Sequence, residues 1–444
     1  VYQACETENN YFSNLYLLQD VKTTQLTNSG DAKNAIWLDN NTLLFASLRK
    51  QADKAAVKKG DNLTVFYTLN LKGGEAQEYM RLNLKGASLK KLDNGTFACV
   101  AKHDYSGEDS PLCEVFDELP FWKNGEGYSN KVRSGLYIVK DGQAERITAE
   151  NESVMSWNVK GSKIIYTSHP YDNYGGTDCG ITVYENGEKH VLIEDGVWNI
   201  RWTNFLGDTP IAYMTDSQLH GRNQIARVYA IDGAQPRMLF DIDEVVGSAI
   251  TGDSTFGGGA SVVVDGNALY YVAVEDMHSV LRKFDENGLQ TLLTATGSLD
   301  NMTVKNGKIL VNGIGQDRMS ELYLVENGSM KQMTTLNEAL YTDRKIAMPE
   351  PVAVVDADGI EIHGYVLRPT DYEEGKMYPA IMDIHGGPFA ALGTPYFHEM
   401  QYWAAQGYFV FYCNPRGGQG RGGDFGDLRG KYGTIYDHDL ILFC

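Results

Sequence analysis

The sequence has few cysteines, little positive charge and no long apolar run, and each shortage excludes a class of protein. The six cysteines contain no Cys-x-x-Cys pair, which argues against a disulfide framework or a zinc site and favours free thiols in the reducing cytoplasm. A formal net charge of -19 argues against a nucleic-acid partner, because phosphate binding requires clustered Lys and Arg. No apolar run approaches the ~18 residues of a membrane helix. We therefore expect a cytoplasmic protein without a metal, cofactor, membrane or nucleic-acid partner.

What the sequence does contain is a repeat of short strands and tight turns. Between residues 12 and 340, β-branched and aromatic runs alternate with Asn-Gly, Asp-Gly or Gly-Gly pairs, which supply the positive φ that two-residue hairpin turns need. Similar strands recur roughly every 40 to 70 residues, a spacing that suits the four-stranded blades of a β-propeller. We predict a seven-bladed propeller over residues 1–345, with six or eight blades left open. The repeat openings lie at residues 14–18, 65–69, 135–139, 181–184, 227–231, 280–284 and 321–325.

The character of the sequence changes near Pro349 and Pro351, and a second domain is predicted over residues 346–444. A hairpin is followed by two continuously apolar strands with a helix between them, a pattern that predicts a parallel sheet covered on both faces. The predicted elements are strands at residues 352–356, 360–367, 379–384 and 408–413, and a helix from Pro395 to Gln406 that Gly407 ends.

Four short motifs in this second region carry a family resemblance. They are the turn Asp358-Gly359, the strand end His385-Gly386-Gly387-Pro388, the stretch Asn414-Pro415-Arg416-Gly417-Gly418 and the stretch Lys431-Tyr432-Gly433-Thr434. With the propeller segment 116–128, they resemble the prolyl oligopeptidase family of serine peptidases, most nearly its acylaminoacyl-peptidase-like and dipeptidyl-peptidase-like bacterial members. The resemblance implies a β-propeller followed by the N-terminal part of an α/β-hydrolase domain. It also implies hydrolysis of short peptides through an acyl-enzyme, with the propeller restricting entry to small or unfolded substrates.

The resemblance assigns the strand end at residues 385–388 to an oxyanion hole. In α/β-hydrolases one donor is the backbone N–H after the nucleophile, and the other comes from the loop after the third strand. Gly387 is the first candidate for this second donor and Gly386 the next, because glycines let the backbone approach a tetrahedral intermediate closely. The alternative is an ordinary strand-to-helix turn. Arg416 and Arg421 are candidates for substrate contact, but a structural role in a glycine-rich turn is slightly preferred.

The nucleophile and its partners are missing from the sequence. The second region contains no serine, and no Gly-x-Ser-x-Gly elbow occurs anywhere. Asp437, His438 and Asp439 come too early to complete a triad, and they are predicted to begin a helix. Cys413 is predicted to be a buried structural thiol. We expect a chain that is cut before the nucleophile and is inactive alone, with the Ser, Asp and His of the triad beyond Cys444.

Two other functions remain open at this point. One is a non-catalytic binding protein, in which the propeller holds a peptide or partner and the hydrolase segment is a vestige; the other is an esterase of the same fold. A Gly-x-Ser-x-Gly elbow in the coding sequence after residue 444 would indicate the enzyme. The cut also predicts an uncovered apolar sheet edge at residues 408–413. Exo- and endopeptidase action both stay open at this point, and so does assembly into a homo-oligomer.

Overall fold

The structure is a computed structural model that describes residues 1–444 apart from several short stretches. Those stretches are residues 6, 8, 106–111, 114–115, 117, 120–121, 124–126, 129–130, 172–177, 234, 256–258 and 388. The family-like propeller segment 116–128 therefore falls partly outside the described residues. The chain folds into two compact units, Val1–Phe205 and Leu206–Cys444. The predicted domain boundary between residues 345 and 346 stays a prediction.

The first unit is built from antiparallel sheets. Its elements are β1 (Tyr2–Cys5), β2 (Asn10–Ser13), β3 (Tyr16–Gln19), β4 (Lys22–Gln25), β5 (Lys33–Asp39), β6 (Thr42–Ala46), α1 (Gln51–Lys58), β7 (Thr64–Asn70), β8 (Gln77–Leu82), β9 (Lys85–Lys91), β10 (Phe97–Asp104), β11 (Trp122–Lys123), β12 (Gly127–Tyr128), β13 (Val132–Lys140), β14 (Gln143–Arg146), β15 (Glu152–Lys160), β16 (Lys163–Pro170), β17 (Gly180–Glu185), β18 (Glu188–Ile193) and β19 (Asn199–Leu206). Three four-stranded sheets lie within its described residues, in the orders β5-β6-β7-β8, β9-β10-β13-β14 and β15-β16-β17-β18.

In the second of these sheets, side chains of one strand, β10, pack against the preceding sheet on one face and against the following sheet on the other. Along β10, Phe97 packs into a cluster with Leu44 and Phe66 of the preceding sheet. Its neighbour Ala98 packs with Ile164 of the following sheet. Successive side chains of a strand point to opposite faces, so alternating apolar residues bury the sheet on both sides. This is the packing expected of propeller blades.

The second unit begins with more sheets of the same kind. Its strands before residue 340 are β20 (Thr209–Thr215), β21 (Arg227–Ala230), β22 (Arg237–Phe240), β23 (Val262–Asp265), β24 (Ala268–Glu275), β25 (His278–Asp285), β26 (Gly288–Ala295), β27 (Asn301–Lys305), β28 (Lys308–Ile314), β29 (Ser320–Glu326) and β30 (Ser329–Gln332), with short 3₁₀ turns at Gly221–Asn223 and Glu338–Leu340. Strands β20 to β22 pair in order, and β23–β26 and β27–β30 form four-stranded antiparallel sheets. Leu281 and Val311 join the last two sheets in one apolar cluster.

The hairpin turns explain the repeat that the sequence shows. All seven predicted openings coincide with the first strand of the last hairpin in a sheet, namely β3, β7, β13, β17, β21, β25 and β29. At Asn186-Gly187, Asn306-Gly307 and Asn327-Gly328 both residues have positive φ, as a type I′ turn requires. Asp232-Gly233 is an exception, because neither residue has positive φ and a longer loop joins β21 to β22.

A four-stranded mixed sheet completes the second unit. Its strands and helices are β31 (Pro349–Val355), β32 (Glu361–Leu367), β33 (Ala380–Met382), α2 (His398–Ala405), β34 (Phe409–Cys413), α3 (Gly423–Gly426) and α4 (Ile435–Phe443). The strand order is β31-β32-β34-β33, in which β33 and β34 are parallel and the other pairs antiparallel. The prediction of an uncovered edge at residues 408–413 is wrong, because β34 has a partner on each side and β33 is an edge strand instead.

Helices cover both faces of the mixed sheet. Met400 of α2 packs in a cluster with Tyr412 of β34. Leu440 of α4 packs with Cys413, whose side chain points to the other face of the same strand. A parallel strand pair joined by a helix and covered on both sides is an α/β arrangement. The structure therefore confirms the predicted fold class, a β-propeller followed by the N-terminal part of an α/β-hydrolase domain.

Helix α2 begins three residues later than the sequence predicts. Pro395 lies before it, while Gly407, with φ of +92°, follows its end as predicted. The backbone N–H groups of His398 and Glu399 donate to the Asp253 carboxylate at 2.9 and 2.8 Å. The first N–H groups of a helix have no partner within the helix. Asp253 supplies that partner, from 145 residues earlier in the chain.

Candidate active site

The candidate oxyanion loop, residues His385–Gly387, follows the C-terminal end of β33. The parallel register of β33 and β34 pairs Met382 with Phe411. The Asp383 N–H extends this pairing by donating to the Phe411 carbonyl at 2.9 Å. In open α/β sheets, ligands bind beyond the C-terminal ends of the parallel strands. The oxyanion loop therefore lies where this fold class places ligands.

Both glycines of the oxyanion loop are open to solvent. A Cβ on Gly386 would meet no atom within 4 Å, and a Cβ on Gly387 would come no nearer than 3.8 Å to the Gly417 carbonyl oxygen. Neither glycine has positive φ, so the backbone conformation does not require glycine at these positions. Their N–H groups donate no hydrogen bond to a described residue. Glycine here leaves room for another group beside two N–H donors.

Two side-chain hydrogen bonds hold the carbonyl groups of the oxyanion loop. Tyr436 Oη donates to the His385 carbonyl at 2.9 Å. The Nδ1 atom of His385 lies 2.7 Å from the Gly386 carbonyl oxygen. A carbonyl oxygen is an acceptor, so Nδ1 carries the proton in this contact. Sequence reasoning missed Tyr436, because a single tyrosine on a helix belongs to no motif that would mark it.

Arg416 takes part in a buried ion-pair network. Its backbone N–H and its Nε both donate to one oxygen of Asp439 at 2.9 Å. Its Nη2 lies 2.8 Å from Asp356, and the side chains of Asp356 and Asp439 are 1% and 0% exposed. The hydrogen bond with Asp439 raises the pKa of Arg416. The guanidinium therefore forms ion pairs with two carboxylates, and this favours the structural role for Arg416.

Arg421 lies against β32 rather than on the oxyanion loop. Its guanidinium donates to the Glu361 carbonyl and lies 4.3 Å from the centroid of the Phe425 ring. Among the described residues, neither Arg421 nor Arg416 hydrogen-bonds to residues 385–387. The two candidate glycines therefore lie in the oxyanion loop, and both arginines lie outside it.

His363 links β32 to the turn between β24 and β25. Its Nδ1 lies 2.8 Å from the Asp276 carboxylate, and its Nε2 lies 3.3 Å from Glu361. Burial lowers the pKa of His363, but hydrogen bonds to Asp276 and Glu361 outweigh this effect and raise the pKa above its ordinary value. Arg421 opposes the increase through charge repulsion.

The residues that the sequence argued against as catalytic groups lie in structural elements. Asp437, His438 and Asp439 belong to α4, as expected. Cys413 is 1% exposed, and burial raises the pKa of its thiol to about 12. A thiol with such a pKa is protonated at neutral pH and is a poor nucleophile. Sequence reasoning missed the pairing of Asp439 with Arg416, since nothing local to either residue indicates it.

The described residues contain neither a metal cluster nor a membrane helix. No three His, Cys, Asp or Glu side chains in these parts of the chain are grouped as a metal ion requires. In the same parts, no helix has both the length and the apolar character to cross a membrane. Charged side chains near the oxyanion loop instead pair with one another, as Arg416 does with Asp439.

Part of the chain matches the model of a known protein family. The family model described as "Prolyl oligopeptidase family" matches residues 394–444. The uncharacterized peptidase YuxL of Bacillus subtilis (strain 168) is 41% identical over 128 residues, which are 28% of this chain and 19% of that protein. Dipeptidyl-peptidase 5 of Trichophyton equinum is 36% identical over 90 residues, 20% of this chain and 12% of that protein. These matches span well under two thirds of either relative.

Solved structures share the fold over almost the whole chain. The acylaminoacyl peptidase of Pyrococcus horikoshii, in its orthorhombic crystal form, aligns with 99% of this chain and 67% of that chain, with a TM-score of 0.79 and 19% identity. A Mycobacterium tuberculosis puromycin-hydrolyzing peptidase aligns with 99% and 68%, with a TM-score of 0.66 and 15% identity. The family match, the named relatives and the shared fold agree with the motifs in the sequence. Together, the match of residues 394–444, the named peptidases and the shared fold support assignment of the chain to the prolyl oligopeptidase family.

Proposed function

We propose that the chain is part of a serine peptidase that hydrolyses short peptides through an acyl-enzyme. In this proposal the chain supplies the propeller and one side of the oxyanion hole. The observation that carries it is the oxyanion loop, where two open glycines follow β33 and offer N–H groups that no described residue uses. Such donors stabilise a developing oxyanion most when they are fixed before the reaction. Gly387 is the first candidate donor and Gly386 the second.

The proposed chemistry needs a nucleophile that these 444 residues do not contain. No serine follows Ser329, and the Cys413 thiol is buried with a raised pKa. Loss of triad members costs roughly 10⁴- to 10⁶-fold in rate in serine peptidases. We therefore propose that the chain alone is inactive, and that the Ser, Asp and His come from sequence outside it.

Peptide substrates and a cytoplasmic location complete the proposal. The similar proteins carry the names peptidase, dipeptidyl-peptidase and acylaminoacyl peptidase, which supports a short peptide as the substrate. Free thiols at Cys99, Cys179 and Cys413 support a reducing compartment. Arg421 is kept as a candidate for substrate contact, while Arg416 is assigned to the network with Asp439.

The test compares the 444-residue chain with the protein translated from its natural coding sequence past the codon for Cys444. The longer protein is expected to hydrolyse dipeptidyl or N-acylaminoacyl p-nitroanilides and to be labelled by a fluorophosphonate on the serine of a Gly-x-Ser-x-Gly elbow. The 444-residue chain is expected to do neither. Turnover of p-nitrophenyl esters without peptides would indicate an esterase. Peptide turnover by the 444-residue chain, lost on substitution of one of its own residues, would contradict the proposal.

A further inference from the structure

Two consecutive peptide groups of the oxyanion loop are each held through the carbonyl oxygen. The His385 carbonyl accepts from Tyr436 Oη at 2.9 Å, and the Gly386 carbonyl accepts from His385 Nδ1 at 2.7 Å. In a planar trans peptide, the C=O of one residue and the N–H of the next point in opposite directions. Fixing these two carbonyls therefore sets the directions of the Gly386 and Gly387 N–H groups.

Tyr436 is in turn held by the helix that carries it. Tyr436 and Asp439 are three residues apart on α4 and so lie on the same face of the helix. The buried Asp439 carboxylate accepts from Arg416 Nε at 2.9 Å, which anchors α4 one turn from the tyrosine. The Tyr436 ring packs against the apolar cluster of Cys413 and Phe443. The Tyr436 hydroxyl is therefore held in place by α4, and it donates its hydrogen bond to the oxyanion loop.

We propose that Tyr436 is a positioning residue for the oxyanion loop. Its hydroxyl fixes the peptide plane between His385 and Gly386, and the His385 imidazole fixes the next plane. Together they aim the N–H groups of Gly386 and Gly387 at the carbonyl oxygen of a bound peptide. Tyr436 does not itself touch the substrate. This inference rests on the proposed function, because the proposed function assigns the oxyanion role to the loop.

The peptide plane can be observed directly in the full chain by NMR. With carbonyl-13C histidine and 15N glycine, the spectrum contains cross-peaks for the His-Gly pairs 220–221, 363–364 and 385–386. Substitution Gly386→Ala assigns the third cross-peak by removing it. In Tyr436→Phe we expect the His385 carbonyl resonance to move upfield, because the hydrogen bond from the hydroxyl is lost, while the other two cross-peaks stay in place.

The matched control is Tyr432→Phe, which removes the hydroxyl of a tyrosine that is 68% exposed and lies four residues earlier in the chain. This variant is expected to leave all three cross-peaks unchanged. An unshifted His385 carbonyl in Tyr436→Phe would overturn the inference, and so would equal movement of all three cross-peaks, which would indicate a displaced helix. If Tyr436→Phe does not fold, 3,5-difluorotyrosine provides a stronger phenol donor in the native sequence. A downfield shift of the His385 carbonyl then supports the inference, and no shift overturns it.

Peptidase assays of the longer protein separate this inference from the proposed function. A drop in kcat with little change in KM in Tyr436→Phe, together with the carbonyl shift, supports the positioning role. Activity that is present and unaffected by Tyr436→Phe overturns the positioning role alone. A carbonyl shift in a longer protein that hydrolyses no peptide leaves the hydrogen bond established but overturns both the oxyanion assignment and the proposed function.

Discussion

Two glycine-rich stretches of the mixed-sheet region use glycine for opposite reasons. In the oxyanion loop, a Cβ on Gly386 would have no neighbour within 4 Å and neither glycine has positive φ. In the glycine-rich segment, residues 417–426, Gly417 has φ of +102° and Gly420 has φ of +97°. A Cβ on Gly417 would overlap the Leu428 side chain, and one on Gly420 would lie 2.5 Å from the Asp276 carbonyl oxygen.

This difference separates glycines that the fold needs from glycines that leave space. A positive φ and a contact below 3 Å both exclude a side chain, so the glycine-rich segment needs glycine for its own packing. The oxyanion loop has neither constraint. Its glycines lose more conformational entropy on folding than other residues would, and they gain no packing in return. A residue that the fold does not require, at the end of a parallel strand, is better explained by a ligand.

The largest effect on stability is expected for Gly417→Ala. The substitution combines a strained backbone with overlap at Leu428, and each contributes 1–3 kcal/mol, for a loss of about 4 kcal/mol in the free energy of unfolding. Urea unfolding of the full chain measures it. The control is Gly430→Ala, which has φ of +69° but no atom within 4 Å of the new Cβ, and which is expected to cost about 1–2 kcal/mol. Equal losses for both variants would contradict the packing argument.

Arg416 directly precedes the glycine-rich segment, and its anchoring to α4 is tested by Asp439→Asn. Removing a fully buried charge leaves Arg416 with Asp356 as its remaining carboxylate, and we expect a loss of about 3 kcal/mol. Asp437→Asn changes an exposed carboxylate on the same helix and is expected to shift stability by less than about 0.5 kcal/mol. The difference between the two urea midpoints is the measurement, and similar midpoints would mean that the network contributes little.

A smaller effect is expected from pH at His363, whose partner Asp276 also packs against Gly420. The folded chain raises the pKa of His363, so the protonated form stabilises the fold. This stabilisation is complete below the ordinary pKa of about 6.5 and is lost as the pH rises through the folded-state value. Since Asp276, Glu361 and Arg421 all face a partly exposed ring, we expect at most about 1 kcal/mol.

The measurement is the melting temperature of wild type and His363→Gln between about pH 5 and about pH 9, from roughly 1.5 units below that ordinary pKa to roughly 2.5 units above it. The advantage of the wild type should shrink as the pH rises. His438→Gln, at an exposed position on α4, should show no such trend. An advantage that grows with pH would show that His363 is held in its neutral form.

The smallest effect on stability is expected at the oxyanion loop itself. Gly387→Ala should raise the free energy of unfolding by about 0.5 kcal/mol, because its Cβ has room, its φ is not positive and alanine lowers the entropy of the unfolded chain. In the longer protein, the same methyl group should lower kcat/KM by ~10-fold or more, because small displacements at a reacting centre are costly. A destabilised Gly387→Ala with unchanged activity would reverse the comparison between the two stretches.

Sequence reasoning predicted the blades better than the site. Three of the seven openings are followed by a two-residue turn with positive φ at both positions, at Asp141-Gly142, Asn186-Gly187 and Asn327-Gly328, and such pairs can be recognised locally in the sequence. The same reasoning failed at Asp232-Gly233, where a longer loop replaces the turn. It also placed the sheet edge on β34, because strand order depends on which strands pair across the chain rather than on the apolar run itself.

By itself, the sequence determined the repeated strands, the turns and the two glycines at the end of β33. These features depend on residues within a few positions of one another, where backbone sterics act. The tertiary structure alone decided that Asp253 caps α2, that Arg416 pairs with Asp439 and that Tyr436 holds the His385 carbonyl. A charge or hydroxyl can satisfy many partners, and only the packing of distant elements selects one of them.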